Sequence, residues 1–143
     1  GDLRVISSAL KMISDLERIG DHAADIAEIL QYITDAETES KSHIAEMAAA
    51  AGRMVTDAVS AFVSKDPQQA KAVMAYDDQV DGLFARVKED LTAMILENPK
   101  NGENCLDLLM IAKYFERIGD HAVNIAEWVM FSITGRHEKD GRA

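Results

Sequence analysis

A twelve-residue stretch that occurs twice constrains this chain more than any other feature. Glu17 to Glu28 reads ERIGDHAADIAE and Glu116 to Glu127 reads ERIGDHAVNIAE, so ten of twelve positions agree across an offset of 116 − 17 = 99 residues. Helical solenoids recur every 20 to 50 residues or roughly so. A single recurrence at this distance instead indicates two copies of a larger unit.

In the first copy the acidic residues Glu17, Asp21, Asp25 and Glu28 project at about 0°, 40°, 80° and 20° around a helix. They make one carboxylate stripe. Ile19, Ala23 and Ile26 point roughly the other way, and Val5, Met12 and Leu16 extend an apolar face along one border of the stripe. Like charges on adjacent turns repel by a few tenths of a kcal/mol per i,i+4 pair, roughly. Arg18 lies about 100° away, too far round to neutralise the row. A solvated acidic face is the ordinary meaning of such a run. Its appearance twice favours a site for a hard cation, which accepts several carboxylate oxygens at once.

The rest of the chain supports an all-α architecture. Hydrophobic residues make up 48% of it, aromatics 6%, and there are two prolines. This profile suits a helical bundle. Apolar residues at three- and four-residue steps predict a first helix from Asp2 to about Ile33, with no capping sequence ahead of it, which leads us to expect further residues upstream. The polar run from Thr34 to Ser40 is the best candidate boundary. A second helix to about Ser64 carries Ile44, Met47, Ala48, Ala51, Val55, Ala58 and Phe62 on one face. Lys65-Asp66-Pro67 stops it and starts a third, with Asp66 as N-cap and Pro67 at the first helical position. The third helix runs to about Glu97 with Val73, Val80, Phe84, Val87, Leu91 and Met94 inward. Asn98 to Gly102 reads as a turn. The fourth helix runs from about Glu103 to Thr134, stopped by Gly135, and a charged tail follows.

Asp77 and Asp81 flank the inward stripe of the third helix at i,i+4, where unpaired carboxylates are rarely tolerated. Either they are partly exposed and paired with Arg86 or Lys88, or they face Glu116 and Asp120 and complete a cation site. His22 and His121 lie about 100° round from the aspartates before them. A structural or solvent-facing role suits them, with an exposed phosphoacceptor as the sharper option. Gly20 and Gly119 each cost a helix interior about 0.5–1 kcal/mol relative to alanine, so another helix is expected to approach closely at both.

Fifteen basic against twenty-five acidic residues give a net charge of −10. With no basic tract, nucleic-acid binding is not expected. Cys105, the single cysteine, has no partner for an intramolecular disulfide and reads as a core residue. No signal peptide or long apolar run is visible, so the chain reads as cytoplasmic, reaching a membrane only through a partner. No phosphate-binding Gly-rich loop, partnered nucleophile or CxxC pair is present. This favours a binding module over an enzyme. The alternatives are a carboxylate-bridged metalloenzyme on a helical bundle and a histidine phosphotransfer module.

Asp2-Leu3-Arg4 leading into a helix with ERIGDHA, and a later helix with FERIGDHAVNIAE, resemble the PhoU family of phosphate-specific transport accessory proteins along essentially the whole chain. The resemblance implies two three-helix bundles in tandem. Residues 1–35 would be the last helix of a truncated first repeat, residues 36–135 a complete second repeat, and residues 136–143 a flexible tail. It places the family's acidic signature on Glu17 and Asp21 in the first copy and on Asp77, Asp81, Glu116 and Asp120 in the second, with Asn124 as an extra ligand or an orienting amide. The implied cofactor is iron or zinc, possibly multinuclear, or another divalent cation such as magnesium or manganese. The implied function is negative regulation of phosphate uptake, as an adaptor between the ATP-binding subunit of the Pst transporter and the PhoR sensor kinase. A homo-oligomer is expected, because the first helix, cut from its bundle, should keep an uncovered apolar face.

Overall fold

The computed structural model describes residues 2–33 and 42–135, so the polar boundary at 34–40 and the charged tail lie outside the described residues. Four long helices account for nearly all of what is described: α1 (Asp2–Leu30), α2 (Ile44–Ser64), α3 (Pro67–Glu97) and α4 (Gly102–Thr134). A short 3-10 turn, Pro99–Asn101, stands where the turn between α3 and α4 is expected.

The ends of α3 and α4 follow local chemistry. The Asp66 carboxylate accepts from the backbone N–H groups of Gln68 and Gln69, and Pro67 takes the first position. At the far end of α4, Gly135 adopts φ 77° and donates its N–H to the Phe131 carbonyl. The start of α2 is different, because its cap comes from another helix. Asp90 of α3 accepts from the backbone N–H of His43 at 2.9 Å and from the His43 ring.

α4 is the central element. It packs against α1, α2 and α3, and α2 also packs against α3. Leu108, Ile111, Ala122, Ile125, Ala126 and Val129 of α4 are buried among Met47, Ala51, Met54 and Ala58 of α2 and Val73, Val80, Val87 and Leu91 of α3. Cys105 joins this core. The expected face of α2 is correct in part. Ala50, Met54 and Ala61 are buried, whereas Ala48, Val55 and Phe62 are half-buried, so the helix is turned toward Met54.

α1 lies antiparallel on α4, with Arg4 beside Ser132, Asp15 beside His121 and His22 beside Tyr114. The face it buries is not the most apolar one. Ser8, Met12, His22 and Ile26 are covered, while Leu3, Ile6, Leu10 and Ile13 stay exposed at 82%, 57%, 63% and 51%. Those four recur at steps of three and four, the spacing of a helix-packing seam.

Candidate functional site: a carboxylate cluster between two helices

The second copy of the repeated motif meets the aspartate pair of α3. Asp77 and Asp81 project from one side of the α3–α4 seam, Glu116 and Asp120 from the other, and Asp77, Asp81 and Asp120 feel the charge of acids across it. Of the two readings of Asp77 and Asp81, the structure takes the one in which they face α4. Lys88 does not pair with them, because its ammonium lies over the Phe84 ring, 5.0 Å from the centroid.

The crowding has an electrostatic cost. Burial, followed by the charges of Asp81 and Asp120, pushes the Asp77 carboxyl up to about 6. Asp81 is also raised, by burial first and then by Glu116 and Asp78. Asp120 is raised by burial, Glu116 and Asp81, with His121 and Lys113 acting the other way. Asp81 and Asp120 are nonetheless exposed, so water screens much of this at both. Asp77 bears the strain most directly. Its Oδ1 is shut off from solvent and has no hydrogen-bond partner.

That orphaned oxygen points toward Gly119. A methyl group built on Gly119 would sit 4.0 Å from Asp77 Oδ1, 3.5 Å from Met54 Sδ and 3.7 Å from Val80 Cγ1. These are ordinary contacts, so alanine fits sterically. Glycine leaves the space beside the orphaned oxygen open instead. The donor set suits a hard cation, since all four side chains offer carboxylate oxygens and one oxygen is unsatisfied. The cluster as it stands is not closed, for among the described residues no three acidic, histidine or cysteine side chains converge tightly enough to hold one ion.

The first copy is arranged otherwise. Glu17 and Asp21 are exposed on α1, and nothing lies within 4 Å of where a Gly20 side chain would begin. The expectation that a neighbouring helix approaches both glycines therefore holds for Gly119 and is corrected for Gly20. No facing acidic pair is brought to Glu17 and Asp21 among the described residues.

What the first copy does contribute is a contact with the second. His121 Nδ1 donates to Asp15 Oδ1 at 2.9 Å, and the Asn124 amide donates to the same oxygen at 3.3 Å. Asn124 thus serves the α1–α4 interface rather than reaching into the cluster. His22 meets the Tyr114 and His121 rings, with centroids 5.5 Å away in each case. Because 121 − 22 and 114 − 15 both equal 99, His121 with Asp15 and His22 with Tyr114 are the same contact made twice about a local pseudo-dyad. One histidine finds an acid and the other a phenol ring.

Burial holds the His22 ring below its ordinary pKa, with His121, Arg117 and Arg18 adding to the effect, so it is neutral near pH 7. Its Nδ1 is buried without a partner and its residue is 8% exposed. His121 is 20% exposed and already engaged. Burial makes His22 a poor phosphoacceptor, and the Nδ1 of His121 is taken by Asp15. The sequence reading did not find Asp15, whose role depends on a partner 106 residues away, nor Lys113, which sits three residues before Glu116.

Comparison with known proteins agrees with this architecture. The PhoU domain matches residues 1–30 and 44–129. The phosphate-specific transport system accessory protein PhoU homologue of Clostridium acetobutylicum is 33% identical over 136 residues, covering 94% of this chain and 62% of that protein. The homologue of Zymomonas mobilis is 37% identical over 138 residues, covering 94% and 57%. Among solved structures, PhoU from Pseudomonas aeruginosa superposes with a TM-score of 0.80 at 34% identity, covering 94% of this chain and 66% of that one. The phosphate transport system regulatory protein PhoU from Streptococcus pneumoniae gives 0.81 at 27%, covering 95% and 65%. The chain spans about three-fifths of the length of the curated relatives it matches.

Proposed function

Because the chain belongs to the PhoU domain family, we propose that it acts in the cytoplasm as a negative regulator of phosphate uptake and phosphate-starvation signalling. In this reading it is an adaptor, not an enzyme, between the ATP-binding subunit of the Pst transporter and the PhoR sensor kinase. The relatives' names, accessory protein of phosphate-specific transport, support the transport link. No described helix is long and apolar enough to cross a membrane, which is compatible with contact through partners. The exposed Leu3, Ile6, Leu10 and Ile13 stripe offers a surface for a second copy of the chain.

The cluster of Asp77, Asp81, Glu116 and Asp120 is assigned to a structural or sensing cation: iron or zinc, or magnesium or manganese. The observation that carries this assignment is the buried, unpartnered Asp77 Oδ1 facing two more acids. A bound cation would supply the positive charge that this crowding lacks. Glu17 and Asp21, without facing acids here, belong to the first repeat's site and need donors from outside the described residues.

Deletion of the gene tests the regulatory reading. A phosphate-starvation reporter is expected to fire in phosphate-rich medium and to be silenced again by the wild-type gene but not by one carrying Asp77→Asn with Asp120→Asn. Normal repression in the deletion strain would end the reading. Elemental analysis of untagged protein, wild type against the same double variant, tests the cation separately.

A further inference from the structure

We propose that the open side of the α2–α3 pair is a docking groove for an acidic amphipathic helix of a partner protein, one that carries two carboxylates seven residues apart with an apolar residue between them. The groove is separate from the carboxylate cluster, which lies where α3 meets α4. α4 packs against the other side of the pair, where Met54 and Val80 approach Gly119.

The two helices run antiparallel, as the contacts of His43 with Asp90 and of Arg53 with Tyr76 fix. Between these contacts they leave a groove of about 610 Å³. Its floor is low and uncharged, made of Ala49 and Ala50 from α2 and Gly82 and Leu83 from α3. A glycine inside a helix weakens it, so a close neighbour is the usual compensation. None is present at Gly82, where nothing lies within 4 Å of the point at which a side chain would begin. With so little on the floor, a third helix can approach to the near end of the usual packing range, roughly 8 Å between axes. An extended segment would lay unpaired backbone N–H and C=O groups on that floor, whereas a helix satisfies its own.

Positive charge stands at both ends of the groove. Arg86 is at one, with no hydrogen bond or ion pair among the described residues, and Glu46 nearby does not pair with it. Arg53 is at the other, its guanidinium 5.6 Å from the Tyr76 centroid and its Nε 3.5 Å from Asp57. The Arg53 side chain is 70% exposed in that pair, so water screens the attraction. A guanidinium has further N–H donors to give, and Arg53 can take a second carboxylate while keeping Asp57. In the register set by His43 and Asp90, Arg86 stands level with residue 43 + 90 − 86 = 47 of α2, six residues before Arg53. That is about 9 Å along the groove, close to the ~10 Å between residues i and i+7 on one face of a helix. The position midway between two such acids falls over Ala50 and Leu83, which suits an apolar side chain.

The test is fluorescence anisotropy of a labelled alanine-based helical peptide with Glu at positions i and i+7 and Leu at i+4, titrated with the whole chain, beside the same peptide with Lys in place of both Glu. The Glu peptide is expected to bind with a Kd on the order of 10–100 µM and the Lys peptide at least about tenfold more weakly. Arg53→Gln and Arg86→Gln should each weaken the Glu peptide about three- to tenfold, and Arg53→Glu with Arg86→Glu should turn the preference toward the Lys peptide. Gly82→Leu fills the floor and favours the helix, so its loss of binding would not come from unfolding. Lys11→Gln, a charge on α1 away from the groove, should bind as wild type does. No saturable binding of the Glu peptide below about 1 mM, or equal binding by wild type and Arg86→Gln, would overturn the groove. An equal loss in Lys11→Gln would reduce the effect to general charge and overturn it too. Displacement of the peptide by pyrophosphate at concentrations below the peptide's Kd would make this a small-anion site and overturn the helix as its occupant.

Discussion

The two copies of ERIGDHA share their sequence and differ in almost everything that gives a carboxylate its chemistry. On α4 the glycine is buried, the glutamate is half-buried, and a pair of aspartates on α3 stands opposite. On α1 the glycine, the glutamate and the aspartate are open to solvent. An acidic stripe on a helix is chemically inert until another helix brings more acids to it and excludes some of the water. Duplication preserves the stripe, and packing decides which copy is charged with energetic consequence.

The sharpest way to break this comparison is to substitute equivalent acids. Asp77→Asn is expected to abolish the Mn²⁺-induced rise in melting temperature, while Asp21→Asn leaves it unchanged; a loss in both would make the copies equivalent. The same pair can be compared by pH. The Asp77 carboxyl has its folded pKa raised from 3.8 to about 6, so the native state holds the proton more tightly than the unfolded chain. The resulting destabilisation is absent below about 3.8 and complete above about 6, so stability is expected to rise as pH falls from 7 to 5. Urea titrations at the two pH values should show that rise in wild type and a smaller one in Asp77→Asn, with Asp21→Asn following wild type.

The contact between the copies comes next in size. Asp15→Ala leaves His121 and Asn124 without their shared acceptor and is expected to cost about 1–2 kcal/mol by chemical denaturation. Smallest is the pair of glycines. Gly20→Ala, at an open helical site, should stabilise by about 0.5–1 kcal/mol. Gly119→Ala should gain no more than that in stability and should weaken Mn²⁺ binding, because its methyl would sit beside the orphaned Asp77 oxygen.

The parts of the fold that were legible in the sequence are those written in neighbouring residues. Asp66-Pro67 and Gly135 act within one helical turn, and both end their helices as expected. The stripe of α3 was legible because valine and leucine mark a face strongly. The phase of α2 was less so, since alanines at 48, 50, 51, 58 and 61 leave the face to be chosen by what packs on it. The cap on α2 was not legible at all, for Asp90 reaches His43 across 47 residues. At the site, helical spacing put Asp77 and Asp81 beside the seam but left open whether they pair with Arg86 or Lys88 or face Glu116 and Asp120, and packing decides it. Asn124 and His121 were harder to place because a residue at the border of a stripe can turn to either neighbour, and α1, with Asp15, supplied the stronger acceptor.

Arg4 illustrates a cost of holding the first copy in place. Its guanidinium donates to the carbonyls of Ser132 and Ile133, satisfying the exposed end of α4, and it packs on Gly135 so closely that a side chain there would collide with it. The bond joins residues 128 positions apart, so docking α1 closes nearly the whole chain into a ring. Closing a flexible loop of that length before α2 and α3 have formed would cost about 4 kcal/mol of chain entropy, a cost that falls once they have folded and only the short connection between α1 and α2 is left to close. α1 is therefore the element expected to dock last in folding and to come away first in the native ensemble, and its amides should exchange with deuterium ahead of those of α2, α3 and α4. Each such opening bares the His121 face of α4 while leaving the carboxylate cluster on the far seam intact.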